Sequence, residues 1–375
     1  MLKCKHWGGM GLLFAIVILI LLAFVSPSVF SYGNDQDFMV QGRVIAVAEG
    51  ESTVGSFGEM ENQLVTIRLL EGQYRDQEVT IMNLITGQPY YDIVVNTGDR
   101  VLIQVEQDGE STSYNLVDFA RDRTIGVLFA LFVITLLVIG GVKGLKALIS
   151  IIMMGLAIGY VLLPLLLRGY SPIPVTVSIA SLVTIAFLLF IGGVNRKTVA
   201  AIGGTVGGLF VAGVLSYWIG RATYLTGLSS SEAQMLQFME GRIDFQGLLF
   251  SGIIIGALGA ILDVGMSVSS SMEQIWETNP TLELNALISR GLKVGRDMLG
   301  TMSNTLILAY LGTSMPLLLL FQAYDMSWYK VINLDLIATE LVRAMAGSIG
   351  LAFAIPLTAC LAGLLFSQVQ PVSEE

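Results

Sequence analysis

The sequence is poor in the side chains on which most catalytic and metal sites depend. It has one histidine and two cysteines among 375 residues. His6 and Cys4 lie at the N-terminus, whereas Cys360 lies in the last apolar run. This excludes a Ser-His catalytic pair and a His-Glu-x-x-His zinc site, and no disulfide is indicated. We therefore expect neither enzymatic activity nor a metal site.

Signatures for binding phosphate and nucleic acid are also missing. No Gly-x-x-x-x-Gly-Lys-Ser/Thr motif occurs in the chain. Charged residues make up only 13% of the sequence, the formal net charge is −9, and no basic surface is interleaved with aromatic residues. We expect no nucleotide cofactor and no nucleic-acid partner.

Long apolar runs are abundant instead. Hydrophobic residues make up 54% of the chain, and the mean hydropathy is +0.74. Runs of roughly 20 residues can cross a hydrocarbon core about 30 Å thick, and they predict a membrane α-helical bundle of about eight spans. The first span lies within residues 1–32, and the others lie at about 124–141, 147–167, 173–193, 198–219, 247–267, 299–322 and 337–366.

The N-terminal run has two interpretations. Lys3 and Lys5 precede it, and small residues around 28–31 resemble a signal-peptide cleavage site. The apolar run is long for a signal peptide, which favours an uncleaved membrane anchor. Either interpretation exports the segment that follows.

Residues 33–122 have a different character. QGRVIAVAEG, NQLVTIRLL, QEVTIMN and GDRVLIQVEQ are rich in β-branched residues and are separated by turn-forming residues. They predict a small exported all-β domain of five or six strands, either an OB-like barrel or a short sandwich, between spans one and two.

Basic residues assign the two sides of the membrane. The clusters at 3–5, 143–146, 196–197 and 290–296 all fall on one side if eight spans are threaded in order. Because Lys and Arg accumulate in short cytoplasmic loops, both termini are expected in the cytoplasm and the β domain outside. The external connection 220–246 is expected to hold a short surface or re-entrant helix. Residues of about 278–297 read as a basic amphipathic helix on the inner membrane surface.

One carboxylate lies deep in an apolar span. Asp263 follows LLFSGIIIGALGA, and a charge at this depth is costly unless it faces the bundle interior or water. Ser267 and Ser270, at i+4 and i+7, extend a polar stripe towards the cytoplasm. A permanent hydrogen-bond clamp between helices is the alternative to a titrating group.

Two further polar sets accompany Asp263. In the seventh span, one helical face carries Asp297, Thr301, Asn304 and Thr305 inwards from the cytoplasmic mouth. In the last span, Glu340 and Arg343 are one turn apart towards the outer side. Together the three sets predict an interrupted polar route across the bundle.

The strings GALGAILDVGMSVSSSM, GRDMLGTMSNTLILAYLG and GSIGLAFAIPLTA resemble the YibE/F family of bacterial membrane proteins, along nearly the whole chain. The resemblance implies a multi-pass protein of the bacterial plasma membrane. It does not imply a defined activity.

A more distant resemblance is to the SecD/SecF branch of RND transporters, whose fourth span also ends in a membrane aspartate. It implies that residues 123–172 hold two extra spans and that residues 173–375 form an RND-like core. On this mapping Asp263 takes the place of the proton-relay aspartate. Since RND bundles consist of two related halves, it also implies a homodimer or a related membrane subunit as partner.

These observations predict an ion- or proton-coupled secondary transporter for an unknown small molecule or ion, acting as an exporter. Asp263 would carry the coupling charge, and Asp297 would belong to the same ion- or proton-coupling set. Arg343, with Glu340, would be the switching electrostatic partner or a substrate contact near the outer side. Ser267, Ser270, Thr301, Asn304 and Thr305 would line the polar path. The alternatives are a SecD/SecF-like accessory for exported proteins and a non-transporting scaffold or receptor subunit.

Overall fold

The computed structural model describes residues 37–50, 53–55, 58–60, 62–86, 92–108, 111–239 and 243–368. The predicted first span, with its signal-peptide alternative, lies outside these residues. The described chain divides into two compact units, one ending at Gly141 and the other beginning at Val142.

The N-terminal unit contains an antiparallel β half-barrel. Its strands are β1 (Asp37–Glu49), β2 (Thr53–Gly55), β3 (Gly58–Met60), β4 (Asn62–Leu69), β5 (Glu78–Leu84), β6 (Arg100–Asp108) and β7 (Ser111–Phe119). Five of them form one sheet in the order β5-β4-β1-β6-β7, and β2 and β3 pair separately. The four β-rich strings singled out in the sequence correspond to β1, β4, β5 and β6, so the prediction of an all-β segment is confirmed.

The half-barrel closes around aliphatic side chains from alternate strand positions. Val65, Ile67 and Val101 are fully buried in its core. Gly42 lies at the centre of β1, where a β-carbon would come within 2.4 Å of Ile67 and 2.7 Å of Ile103. A glycine at this position therefore lets the sheet curl tightly over its own core.

The rest of the described chain is helical. The helices are α1 (Asp122–Ala157), α2 (Leu163–Leu167), α3 (Pro172–Gly192), α4 (Arg196–Ala222), α5 (Ser231–Met239), α6 (Phe245–Thr278), α7 (Leu284–Thr313), α8 (Met315–Ala323), α9 (Trp328–Ile332) and α10 (Asp335–Ser367), with a π-helical turn, Ile158–Leu162, between α1 and α2. By length and composition, five helical segments among the described residues are able to cross a membrane, or six if the bent pair α7–α8 counts as one span. The short helix expected within 220–246 is α5.

One boundary agrees with the sequence-based expectations and two differ. Predicted spans two and three are separated at Gly141, where φ 51° and ψ −130° are non-helical and two helices meet at a kink. The amphipathic helix expected at about 278–297 is not a separate element, because α7 runs unbroken from Leu284 to Thr313. The predicted seventh span bends by 60° between α7 and α8, where Pro316 occupies the first turn of α8.

Helices α4, α6 and α10 form the centre of the helical unit, and small residues bring their backbones close together. A β-carbon on Gly204 of α4 would lie 1.7 Å from the Thr358 hydroxyl of α10. One on Gly208 would lie 2.8 Å from the Gly350 carbonyl oxygen. Close approach through glycine is the usual basis of helix packing in membranes, where apolar side chains gain little by leaving lipid.

Polar contacts mark the two ends of this bundle. At one end, the Lys197 ammonium of α4 donates to the Glu273 carboxylate of α6 at 2.7 Å. At the other, the Thr226 hydroxyl donates to Asp335 at 2.6 Å. These are called the Lys197 end and the Asp335 end below. Helices α3, α6 and α10 begin at the Asp335 end, and α4 and α7 begin at the Lys197 end.

Candidate functional site

Asp263 lies in the middle of α6, far from either end of the bundle. It precedes Glu273 by ten residues, which is about 15 Å along the axis. Its side chain is exposed on the surface of the single chain, and no hydrogen bond or ion pair joins it to another described residue. Asp263 was expected to face the bundle interior or water; within the single chain, α6 buries Ile261, Val264 and Val268 in the bundle and leaves Asp263 outside it.

Asp263 ends a row of glycines on the exposed side of α6. Gly252, Gly256, Gly259 and Asp263 follow at i, i+4, i+7 and i+11, so they share one helical face. No described atom lies within 4 Å of where a β-carbon on Gly252 or Gly259 would stand. This row, named the glycine face here, is open backbone at Gly252 and Gly259, meets the Tyr310 hydroxyl at Gly256 and ends in a carboxylate.

The predicted serine extension lies beyond Asp263 towards the Lys197 end. Ser267 and Ser270 are half-buried, one and two turns further along α6. They continue the polar character of the helix but neither is fully enclosed by the bundle.

The polar stripe of α7 is also turned outwards. Asp297, Thr301, Asn304 and Thr305 are all exposed. The Thr301 and Thr305 hydroxyls donate back to the α7 carbonyl oxygens of Met298 and Thr301, each at 2.9 Å. The stripe therefore exists as one helical face, but it does not line a path inside the single chain.

Two contacts set the height of this stripe relative to Asp263. A β-carbon on Gly291 of α7 would lie 2.3 Å from the Met272 sulfur of α6, and one on Gly256 would lie 2.5 Å from the Tyr310 hydroxyl. Asp263 lies between Gly256 and Met272. Interpolation between these two contacts, with the same rise per residue in both helices, places Asp263 of α6 level with Thr301 of α7 along the helix axes.

The predicted pair in the last span forms as expected from its spacing. The Arg343 guanidinium of α10 donates to the Glu340 carboxylate at 2.9 Å, and both side chains are about three-quarters or more buried. The same guanidinium lies 5.7 Å from the centre of the Tyr310 ring. Tyr310 thus connects the pair to Gly256 on the glycine face. Asp263 lies seven residues further along that face, about 10 Å away, so the pair does not touch it.

A second polar group lies at the junction of α4, α6 and α10 and was missed in the sequence. The hydroxyls of Thr205 and Thr358 are fully buried and have no hydrogen-bond partner among the described residues. A β-carbon on Gly265 would lie 2.7 Å from the first and 3.6 Å from the second, so both converge on one backbone position. The motif IGGTVGG could have indicated this buried polar group, because a threonine among packing glycines is brought against the neighbouring helix.

The described residues contain no group of three His, Cys, Asp or Glu side chains able to hold a metal ion. What the site offers is the Asp263 carboxylate at the end of the glycine face, a polar stripe of α7 at the same height, and a largely buried ion pair nearer the Asp335 end. These groups can exchange protons and hydrogen bonds with a ligand or a partner that covers the face.

Comparison with known proteins yields two family matches. Residues 128–368 match the YibE/F-like protein family, and residues 40–119 match the YibE/F family N-terminal domain. No curated protein and no solved structure matches the chain. The first match covers most of the chain and contains Asp263, the α7 stripe and the Glu340–Arg343 pair, and the second covers the β half-barrel. The chain therefore belongs to the YibE/F-like family of proteins.

Proposed function

We propose that the protein is a proton- or ion-coupled secondary transporter, acting as an exporter, in which Asp263 carries the coupling charge. The observation behind this proposal is an exposed carboxylate, without an ion-pair partner among the described residues, in the middle of a helix of membrane-spanning length. Charged residues inside membranes mark ion and proton paths unless they are permanently paired.

The exposure of Asp263 requires something other than lipid against the glycine face, and a second copy of this chain fits that requirement. Placing a carboxylate against hydrocarbon costs on the order of 3 kcal/mol or more. A twofold pairing of α6 on α6 through Gly252 and Gly259 allows close backbone contact. It also brings the two Asp263 side chains, and the polar stripes beside them, into a shared protein environment away from lipid.

In such a dimer each polar group has a role in coupling. Protonation of Asp263 removes a charge from the interface and so changes the relative free energy of two arrangements of the bundles. The path from the Lys197 end to Asp263 is lined by polar residues of α6 and α7, namely Ser267, Ser270, Asp297, Thr301, Asn304 and Thr305. Glu340 and Arg343 form the charged element nearer the Asp335 end, with Tyr310 between them and the glycine face.

The finer architecture follows the same proposal. We propose eight spans in the bacterial plasma membrane, with the Lys197 end and both termini in the cytoplasm and the β half-barrel outside. The clustering of Lys and Arg at the Lys197 end supports this orientation. The strand order β5-β4-β1-β6-β7 supports an OB-like barrel. Helices α3, α4, α6, α7 and α10 would be the RND-like core.

The test is proton uptake by proteoliposomes loaded with a pH-sensitive dye. We expect Asp263→Asn to lower uptake at least tenfold, because an amide cannot change charge at any pH. Its melting temperature should stay near the wild-type value, since shape and most polar contacts survive. Asp325→Asn is the matched control: this exposed loop residue has φ 45°, which asparagine tolerates, and uptake should be unchanged.

Other outcomes separate the alternatives. Normal uptake by the Asp263→Asn protein contradicts the coupling role and leaves Asp263 as a polar clamp. No uptake by the wild-type protein, together with a normal cellular phenotype for Asp263→Asn, supports a scaffold or receptor subunit. Loss of exported-protein handling in the Asp263→Asn strain, with uptake coupled only to that process, supports a SecD/SecF-like accessory.

A further inference from the structure

A groove opens sideways between α3 and α4 at the Asp335 end of the bundle, away from the glycine face. Its volume is 610 Å³, within the range of roughly 300–1,000 Å³ typical of small-molecule sites. Its walls are apolar and aromatic, and its principal lining residues are Pro172, Val177, Phe210, Val214, Tyr217 and Trp218. The groove is therefore suited to a hydrocarbon chain rather than to a polar solute.

The closed side of the groove is made by the packed core. Gly213 of α4 forms its floor, where a β-carbon would lie 3.3 Å from Ile254 and 3.5 Å from Val177. The open side is formed by residues that face outwards, with Phe210 61% and Trp218 71% exposed. Since α3 and α4 are both of membrane-spanning length, the opening lies within the depth of the bilayer.

One end of the groove is polar. Asp244, the N-cap of α6, lines it together with Ser171 at the start of α3. The Arg221 guanidinium lies 4.6 Å from the centre of the Tyr217 ring, in the same last turns of α4. Tyr and Trp side chains settle at the headgroup depth of a bilayer. This end therefore lies where a lipid headgroup begins.

We propose that this groove binds one acyl chain of a phospholipid with a primary ammonium headgroup, with the ammonium at Asp244 and the phosphate near Arg221. An acyl chain gains little by moving from the bilayer into an apolar groove, so selection must come from the polar end. A carboxylate and a guanidinium on neighbouring helix ends complement a headgroup that carries one charge of each sign. The site is independent of the coupling function proposed for Asp263.

The experiment uses the fluorescence of Trp218 in the full chain, with Trp7, Trp276 and Trp328 replaced by phenylalanine. The protein is placed in vesicles of equal parts phosphatidylethanolamine and phosphatidylglycerol, with bromine on the acyl chains of one lipid at a time. We expect brominated phosphatidylethanolamine to quench Trp218 at least twice as strongly as brominated phosphatidylglycerol. A second protein that keeps only Trp328, which is also 71% exposed but outside the groove, should show a ratio of about one.

Two variants test the assigned parts. Asp244→Asn keeps an N-cap acceptor for the Gly247 amide, now at 2.9 Å, and removes only the charge, so the quenching ratio should fall to about one. Val214→Phe narrows the groove from its exposed rim and should weaken quenching by either lipid. Equal quenching of Trp218 by both lipids, a preference for phosphatidylglycerol, or an unchanged ratio in Asp244→Asn would each overturn the proposal.

Discussion

Single glycines decide how closely the central helices approach, and their environments differ sharply. At Gly204 an added β-carbon would meet the Thr358 hydroxyl at 1.7 Å and the Thr358 backbone at 2.9 Å. At Gly207, one turn later, it would meet only the flexible end of Leu357. At Gly155 of α1 it would meet no described atom within 4 Å. The same residue type therefore has three different structural roles.

These three environments predict how much a glycine-to-alanine substitution changes the stability at each position. Gly204→Ala should destabilise the helical unit by roughly 1–3 kcal/mol, because the helix backbones must separate to admit the methyl group. Gly207→Ala should lower the free energy of unfolding by less, since the end of Leu357 can move aside. Gly155→Ala should be neutral or stabilising by up to about 1 kcal/mol through helix propensity. Unfolding titrations in mixed micelles measure all three, and equal effects would contradict the packing described here.

At the scale of elements, some strand and helix boundaries could be predicted from the sequence and others could not. The β strands were predictable because β-branched residues cluster between turn-forming residues. The continuity of α7 was not predictable, because Arg290, Lys293 and Arg296 resemble a surface segment. In the structure, Gly291 and Gly295 of the same segment pack on Met272 and Ile355. The bend after Thr313 depends on Pro316, which the apolar pattern of the predicted span obscured.

The direction in which Asp263 points could not be predicted from the sequence either. In a soluble helix the apolar face identifies the core, but in a membrane the faces towards lipid and towards protein are both apolar. The spacing of Glu340 and Arg343 sufficed to predict their pairing, because that contact is local to one helix. The neighbours of Asp263 depend on how separate helices pack, and the local pattern does not encode this.

The contact between α4 and α6 at the Lys197 end gives a prediction at this scale. Lys197 and Glu273 are only 27% and 24% exposed, so their ion pair is screened less than a surface pair. A double-mutant cycle with Lys197→Met and Glu273→Gln should give a coupling energy of about 1 kcal/mol. The matched pair Arg68–Glu78, which is about half exposed, should give less. Equal coupling energies would show that burial does not strengthen the helix contact.

At the scale of the whole molecule, the glycine face predicts a twofold dimer. A cysteine at Gly259, in a chain with Cys4 and Cys360 replaced by alanine, should form a disulfide-linked dimer in native membranes. No described atom lies near this position, so the substitution should not disturb the single chain. A cysteine at Leu182, which is 63% exposed on α3, should give little cross-linking and serves as the control.

The result is read from the mobility of the protein on non-reducing gels. Similar cross-linking at both positions would indicate random collision rather than a defined interface. No cross-linking at Gly259, with the protein otherwise folded, would mean that a different membrane subunit covers Asp263.

The length of α6 has a mechanical consequence. Its 34 residues extend about 51 Å, whereas the hydrocarbon core is about 30 Å thick. If the helix is not strongly tilted, several turns at the Lys197 end stand clear of the bilayer, paired with the first turns of α7 through Met272 and Gly291. Because no break interrupts α6, these projecting turns and the segment carrying Asp263 form a single stiff rod. A displacement of the projecting turns is therefore transmitted along the same helix to the segment that carries Asp263.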